Sequence, residues 1–164
     1  MFRDILVAID GSPHAARALA EAVDLAQRDN ARLTIMTCVP DLSAWLLTGA
    51  AYGGGIDYVA LNEEAERDYR ELLDKAVFQV PEGVRVTKRL VHGRPGDRIL
   101  EEIREGHHDL VVMGSRGRGN VSSLVLGSVS HQVLNAAPAA VLIVHAQDGT
   151  DGSPSTPRAD VARN

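Results

Sequence analysis

The chain has 164 residues, 45% of them apolar and 24% charged, and a formal net charge of −5. That length suits one compact domain with a sizeable core, and the acidic balance removes the electrostatic case for a nucleic-acid partner. The single cysteine, Cys38, excludes an internal disulfide and fits a reducing, cytoplasmic setting, while no apolar run approaches the ~20 residues of a membrane span.

Met1-Phe2-Arg3-Asp4 passes at once into a strand, so no signal peptide is expected. Ile5-Leu6-Val7-Ala8-Ile9 is apolar at every position, as a central strand covered on both faces requires. Asp10-Gly11-Ser12-Pro13 ends it. Ser12 is a good N-cap, Pro13 suits the first helical position, and an Ala/Leu/Val-rich run continues to Asp29. Asp10 stands at the strand's carboxyl end, where turn chemistry and a ligand-facing role are equal readings.

Arg32 to Val39 reads as a second strand, with Leu33, Ile35 and Cys38 directed inward. Cys38 reads as a small packed hydrophobe rather than a catalytic thiol, because no sequence feature identifies an activating base. Pro40 closes the strand. Residues 41–56, with Trp45 and three glycines at 53–55, are long for an α/β connection. They are either a flap over a ligand or plain disorder.

Asp57 is the expected cap of a long helix ending before Pro81, with Tyr58, Leu61, Ala65, Tyr69, Leu72, Ala76 and Val80 as its buried stripe. Glu63, Glu64, Glu66, Arg67 and Asp68 form its solvated face. In the third strand, Gly83 to Val91, the cations Arg85, Lys88 and Arg89 mark a sheet edge. A turn from His92 to Asp97 leads to a third helix running to Arg104; His92 is a loop histidine that reads as structural or solvent-facing. His107 and His108 are adjacent but lack recognisable partner ligands, a weak metal signal.

Asp109 to Met113 is apolar enough for a fourth, central strand. After it, Gly114, Gly117 and Gly119 let main-chain N–H groups converge where a Cβ would interfere. Gly127-Ser128 then opens a helix whose free N–H groups and dipole favour an anion. Arg116 and Arg118 sit among these donors. The pattern suits a phosphate cradle; on these residues alone the alternative is an ordinary glycine-rich connection. The helix should turn Val129, Val133 and Leu134 inward and leave His131 outside. Pro138 resets the chain for a last strand from Ala139 to Val144. The Gly, Asp, Ser, Thr and Pro-rich remainder reads as a disordered tail, giving one domain over residues 1–145 and a tail over 146–164.

Alternation of strand and helix predicts an α/β fold, an open five-stranded parallel sheet of Rossmann-like type with helices on both faces. The most apolar strands, the first and fourth, belong in the middle and the third at an edge, so the order is 3-2-1-4-5. The topological switch then lies between strands one and four, where Asp10 and Met113-Gly114 end, and ligands bind at such a point. The fifth strand becomes an uncharged apolar edge, which predicts a two-fold homodimer paired through Ala139 to Val144.

These residues resemble the ATP-binding branch of the universal stress protein family. Its fingerprint, Gly-x2-Gly-x9-Gly-Ser/Thr, is met at every position by Gly114, Gly117, Gly127 and Ser128. The opening Ile-Leu-Val-Ala-Ile-Asp-Gly-Ser, Gly93-x-Pro95 with Ile99, and Pro138-Ala-Ala-Val-Leu-Ile-Val also look like family positions. The resemblance covers Phe2 to His145. It implies that the four fingerprint residues hold the phosphates of ATP, with Mg²⁺ as a candidate companion. It also implies that Asp10, Gly11 and Ser12 lie by the nucleoside and that main-chain groups at Val39 meet adenine. Met113, Ser115, Arg116, Arg118, Val129 and Ser130 would be neighbours. Dimerisation through the last strand is likewise a family property.

Neither a P-loop, which needs Gly-x4-Gly-Lys-Ser/Thr, nor the dinucleotide fingerprint after the first strand is present. The acidic cluster, Asp and Lys positions of a phosphoacceptor receiver are also missing. The leading expectation is a dimeric ATP-occupied switch in stress response. Its rival is a slow ATPase or phosphotransferase in which Asp10 orients Mg²⁺ or water, and a third reading is a nucleotide-free structural relative.

Overall fold

In a computed structural model of the chain, the described residues are 1–40, 58–117 and 126–146. The expected flap at 41–56, the Asp57 cap, Arg118, Gly119 and the tail beyond residue 146 lie outside them. Strand β1 (Asp4–Ile9) lies between β2 (Arg32–Val39) and β4 (Leu110–Gly114), with β3 (Arg85–His92) and β5 (Ala140–Val144) at the edges. All pairings are parallel and the order is β3-β2-β1-β4-β5, as the strand composition predicts. Helices α1 (Pro13–Asp29), α2 (Tyr58–Phe78), α3 (Pro95–Glu105) and α4 (Ser128–Ala136) make the crossovers and cover the sheet.

The two-residue period of each strand divides the core into two layers. Ile5, Val7, Ile9, Leu33, Ile35, Leu110 and Val112 pack beneath α1 and α2. Leu6, Met36, Val111 and Met113 pack beneath α3 and α4. Ile5, Leu6, Val7, Val111 and Val112 are wholly shielded, which explains why their strands are apolar on both faces.

Helix α1 starts as expected: the Ser12 hydroxyl accepts the Ala15 amide at 3.2 Å and Pro13 takes the first turn. It stops at Asn30, a left-handed residue with φ 52° whose amide returns to the Ala26 carbonyl.

Two details differ from the periodicity reading. In α2 the residues facing the sheet are Tyr69, Leu73 and Ala76, whereas Leu72 is half-buried and Leu61 is exposed. Leu61 precedes Tyr69 by eight residues, about 12 Å along the axis, so it lies past the strand ends that Tyr69 reaches. In α4 Val133 is fully buried but Leu134 is 49% exposed. A nine-residue helix seated by one narrow stripe has no room to bury both of two successive residues.

The amino ends of the strands are closed by side chains. The Asp109 carboxylate accepts the Arg3 and Asp4 amides at 2.8 and 3.1 Å, tying the start of β4 to the start of β1. Asp4 pairs with Arg32 at the head of β2, and Arg85 donates to the Asn30 carbonyl at 3.0 Å. The two edges also differ. Lys88 and Arg89 of β3 pair with Asp74 and Glu102 at 2.6 and 2.8 Å, whereas β5 is uncharged and only half-buried along Val141, Leu142 and Ile143.

Candidate functional site

At the opposite, carboxyl ends of β1, β2 and β4 the structure opens into a cavity of about 570 Å³, within the range of small-molecule sites. Its apolar part begins with a row across the sheet. Ala8 of β1 is in register with Met36 of β2 on one side and Met113 of β4 on the other, and all three line the cavity. Two residues further along β2 the pleat returns Cys38 to the same wall, and Pro40 follows. Pro95 and Ile99 from α3 and Tyr69 from α2 complete this part. Helix α3 is keyed to α4 by Gln132, whose amide donates to Asp97 at 2.6 Å.

The other part is made of main chain. Gly114, Arg116, Gly117, Leu126, Gly127, Ser128, Val129 and Ser130 line it. Gly114 has no room for a side chain: a Cβ there would stand 2.8 Å from the backbone of His14 in the first turn of α1. A Cβ at Gly117 would stand 2.6 Å from the Asp10 carboxylate, so Asp10 faces the glycine turn. Helix α4 starts at Gly127 without any side-chain cap, unlike α1. The Gly127 amide goes to Ser115 O at 2.8 Å, and among the described residues no side chain caps the amides that follow it, so these and the positive end of the dipole suit an anion.

Of the expected site residues, Asp10, Met113, Gly114, Arg116, Gly117, Gly127, Ser128, Val129 and Ser130 come together on this cavity. Gly11, Ser12, Val39 and Ser115 do not line it, and Arg118 is outside the described residues. Ser12 sits behind the wall, buried, with its amide on the Asp10 carboxylate at 2.9 Å. The Val39 carbonyl accepts the Gly93 amide at 3.1 Å, and the Val39 side chain is buried. Residues that sequence reasoning did not assign to a site are Ala8, Ile9, Ala15, Met36, Cys38, Pro40, Tyr69, Pro95, Ile99 and Leu126. The strand order with its in-phase register would have found the Met36-Ala8-Met113 row. No comparable signal marks Tyr69.

Asp10 and Arg116 are the charged residues among the described ones that line the cavity. Burial pushes the Cys38 thiol up to about 11, against a smaller opposing pull from Arg98, so it stays protonated and donates to the Gly93 carbonyl at 3.2 Å. That is the chemistry of a packed thiol, not of a nucleophile. Among the described residues no group of three or more His, Cys, Asp or Glu side chains converges as a metal site; of the adjacent histidines, His108 has the Glu102 carboxylate 3.7 Å from its Nε2.

The model of the universal stress protein family matches residues 1–145. The universal stress protein in the QAH/OAS sulfhydrylase 3′ region of Thermus aquaticus is 39% identical over 145 residues, covering 88% of this chain and 99% of its own length. The universal stress protein YxiE of Bacillus subtilis is 35% identical over 147 residues, with the same coverage of both chains. A universal stress protein solved in complex with cAMP superposes with a TM-score of 0.63 at 25% identity, covering 88% of this chain and 97% of its own.

Proposed function

The chain belongs to the universal stress protein family, and from that premise we propose that it is an ATP-binding member acting as a nucleotide-occupied switch in stress response. One observation carries the reading: a single cavity joins an apolar slot to an uncapped helix start and a glycine turn. The slot suits a flat, weakly polar base. The amides at the start of α4 suit phosphate. Adenosine would lie against Met36, Ala8 and Ile99, and the phosphates against Gly114, Gly117, Gly127 and Ser128. The cAMP complex of a structural neighbour supports an adenine nucleotide as the ligand class.

Binding needs no reactive side chain in this arrangement. Main-chain donors hold the charge, Arg116 adds a cation, and the Asp10 carboxylate by the turn is placed for a ribose hydroxyl or for Mg²⁺ accompanying the phosphates. That same placement favours a second reading, slow hydrolysis or phosphoryl transfer, in which Asp10 would orient water or the metal. Partnership with a second copy through β5 follows from its uncharged, half-buried edge; a monomer by sedimentation at micromolar concentration would reject it. A cytoplasmic setting accords with the free Cys38, and among the described residues no helix is long and apolar enough to cross a membrane.

Mass spectrometry of the ligand released from purified protein tests the reading, with ATP as the expected species; a retained molecule of another class would refute it. Turnover of bound ATP that disappears in Asp10→Asn would favour the enzyme, whereas ATP intact over hours favours the switch.

A further inference from the structure

Three successive carbonyls leave β4, and each is held by a different protein donor. Gly114 O accepts the Ser130 hydroxyl at 2.8 Å, Ser115 O accepts the Gly127 amide at 2.8 Å, and Arg116 O accepts the Ser12 hydroxyl at 3.4 Å. In a planar trans peptide the N–H points opposite to the C=O. The carbonyl anchors therefore set where the amides go. The Ser115 amide runs to Val144 O at 2.8 Å, fixing the first peptide between α4 and β5. The Arg116 amide is turned away from Gly127, and the Gly117 amide away from Ser12 and the first turn of α1. Both residues line the cavity.

Resting on the nucleotide reading above, we infer that the hydroxyls of Ser130 and Ser12 position the phosphate-binding turn and are not ligand donors themselves: Ser130 fixes the Gly114–Ser115 peptide from which the turn departs, and Ser12 fixes the Arg116–Gly117 peptide whose amide is left for the phosphate. A hydroxyl has one proton to donate. That of Ser130 goes to Gly114, in a side chain only 3% exposed. That of Ser12 goes to Arg116 while its oxygen caps α1, so one residue joins the start of α1 to the glycine turn. Both serines act on the phosphate half of the cavity; the apolar half, around Met36 and Ile99, is built without them.

The test is a comparison of ligands across the full-length parent, Ser130→Ala and Ser12→Ala, titrating each with ATP and with adenosine. Ser130→Ala should weaken ATP roughly tenfold, the effect of one charge-oriented hydrogen-bond array losing an anchor, while adenosine affinity stays at the parent value. Ser12→Ala should show the same split on a smaller scale, as its longer contact implies, and it serves if Ser130→Ala does not fold. Parallel loss of ATP and adenosine, or no loss of ATP, overturns the inference and leaves the nucleotide reading standing. A parent protein that binds neither ligand overturns both.

Discussion

At the amino ends of the strands, carboxylates turn back onto the chain: Asp109 holds two amides of the first strand and Asp4 pairs with Arg32. At the carboxyl ends of the same strands the polar groups are main-chain amides, glycines replace side chains, and a cavity of about 570 Å³ remains open. Both ends face the same problem of satisfying backbone donors where pairing stops. The amino end solves it internally, among its own described residues, which stabilises the fold. The carboxyl end is held in place by the Ser130 hydroxyl, the Gly127 amide and the Ser12 hydroxyl, and among the described residues a cavity lies in front of them.

If that division is real, substitutions at the two ends should separate stability from binding. The largest effect is expected at Gly114→Ala, where a methyl meets rigid α1 backbone at 2.8 Å. Overpacking of this kind costs about 3 kcal/mol, and denaturant unfolding together with ATP titration should show stability and binding falling together. Asp109→Ala comes next. Losing the acceptor for two amides should cost about 2 kcal/mol, with ATP affinity unchanged; a change in affinity would break the comparison.

Gly127→Ala reverses that pattern. Its Cβ would stand 3.3 Å from Ser115 O, a contact relieved by shifting the turn a few tenths of an ångström. Stability should change by less than ~1 kcal/mol, while ATP binding weakens roughly tenfold.

The smallest effect concerns pH at the amino end. The Arg32 hydrogen bond holds the Asp4 carboxyl below its ordinary 3.8, against the opposing effect of burial. The stabilisation is therefore fully present above about pH 4 and is lost as pH falls through the lower folded-state value. Acid unfolding of the parent and Asp4→Asn should converge below that point, with only a small gap above it because Arg32 is 62% exposed. ATP affinity of the variant at neutral pH should match the parent.

The strand order was legible because β1 from Ile5 to Ile9 and β4 from Leu110 to Met113 are apolar on both faces while β3 carries Arg85, Lys88 and Arg89. The glycine half of the cavity was legible for a related reason, since glycine spacing records where backbone must approach backbone. The apolar half was not. Met36, Ile99 and Tyr69 have the composition of ordinary core residues, and only the three-dimensional register makes them a wall. The pleat also separates neighbours that look alike in sequence: Cys38 and Pro40 line the cavity, and Val39 between them does not. Helical phase misled in the same way at Leu134, where a short helix buries Val133 alone. Ser12 and Ser130 stood out by position, but only the structure shows that Ser130 lines the cavity, that Ser12 does not, and which carbonyls their hydroxyls hold.

Titration calorimetry of the purified, nucleotide-stripped full chain with ATP tests nucleotide occupancy at the carboxyl end most directly. Saturable binding at one site per chain is predicted, weakened by Gly127→Ala and untouched by Asp109→Ala. No binding at millimolar ATP, or binding that Gly127→Ala leaves intact, would contradict it.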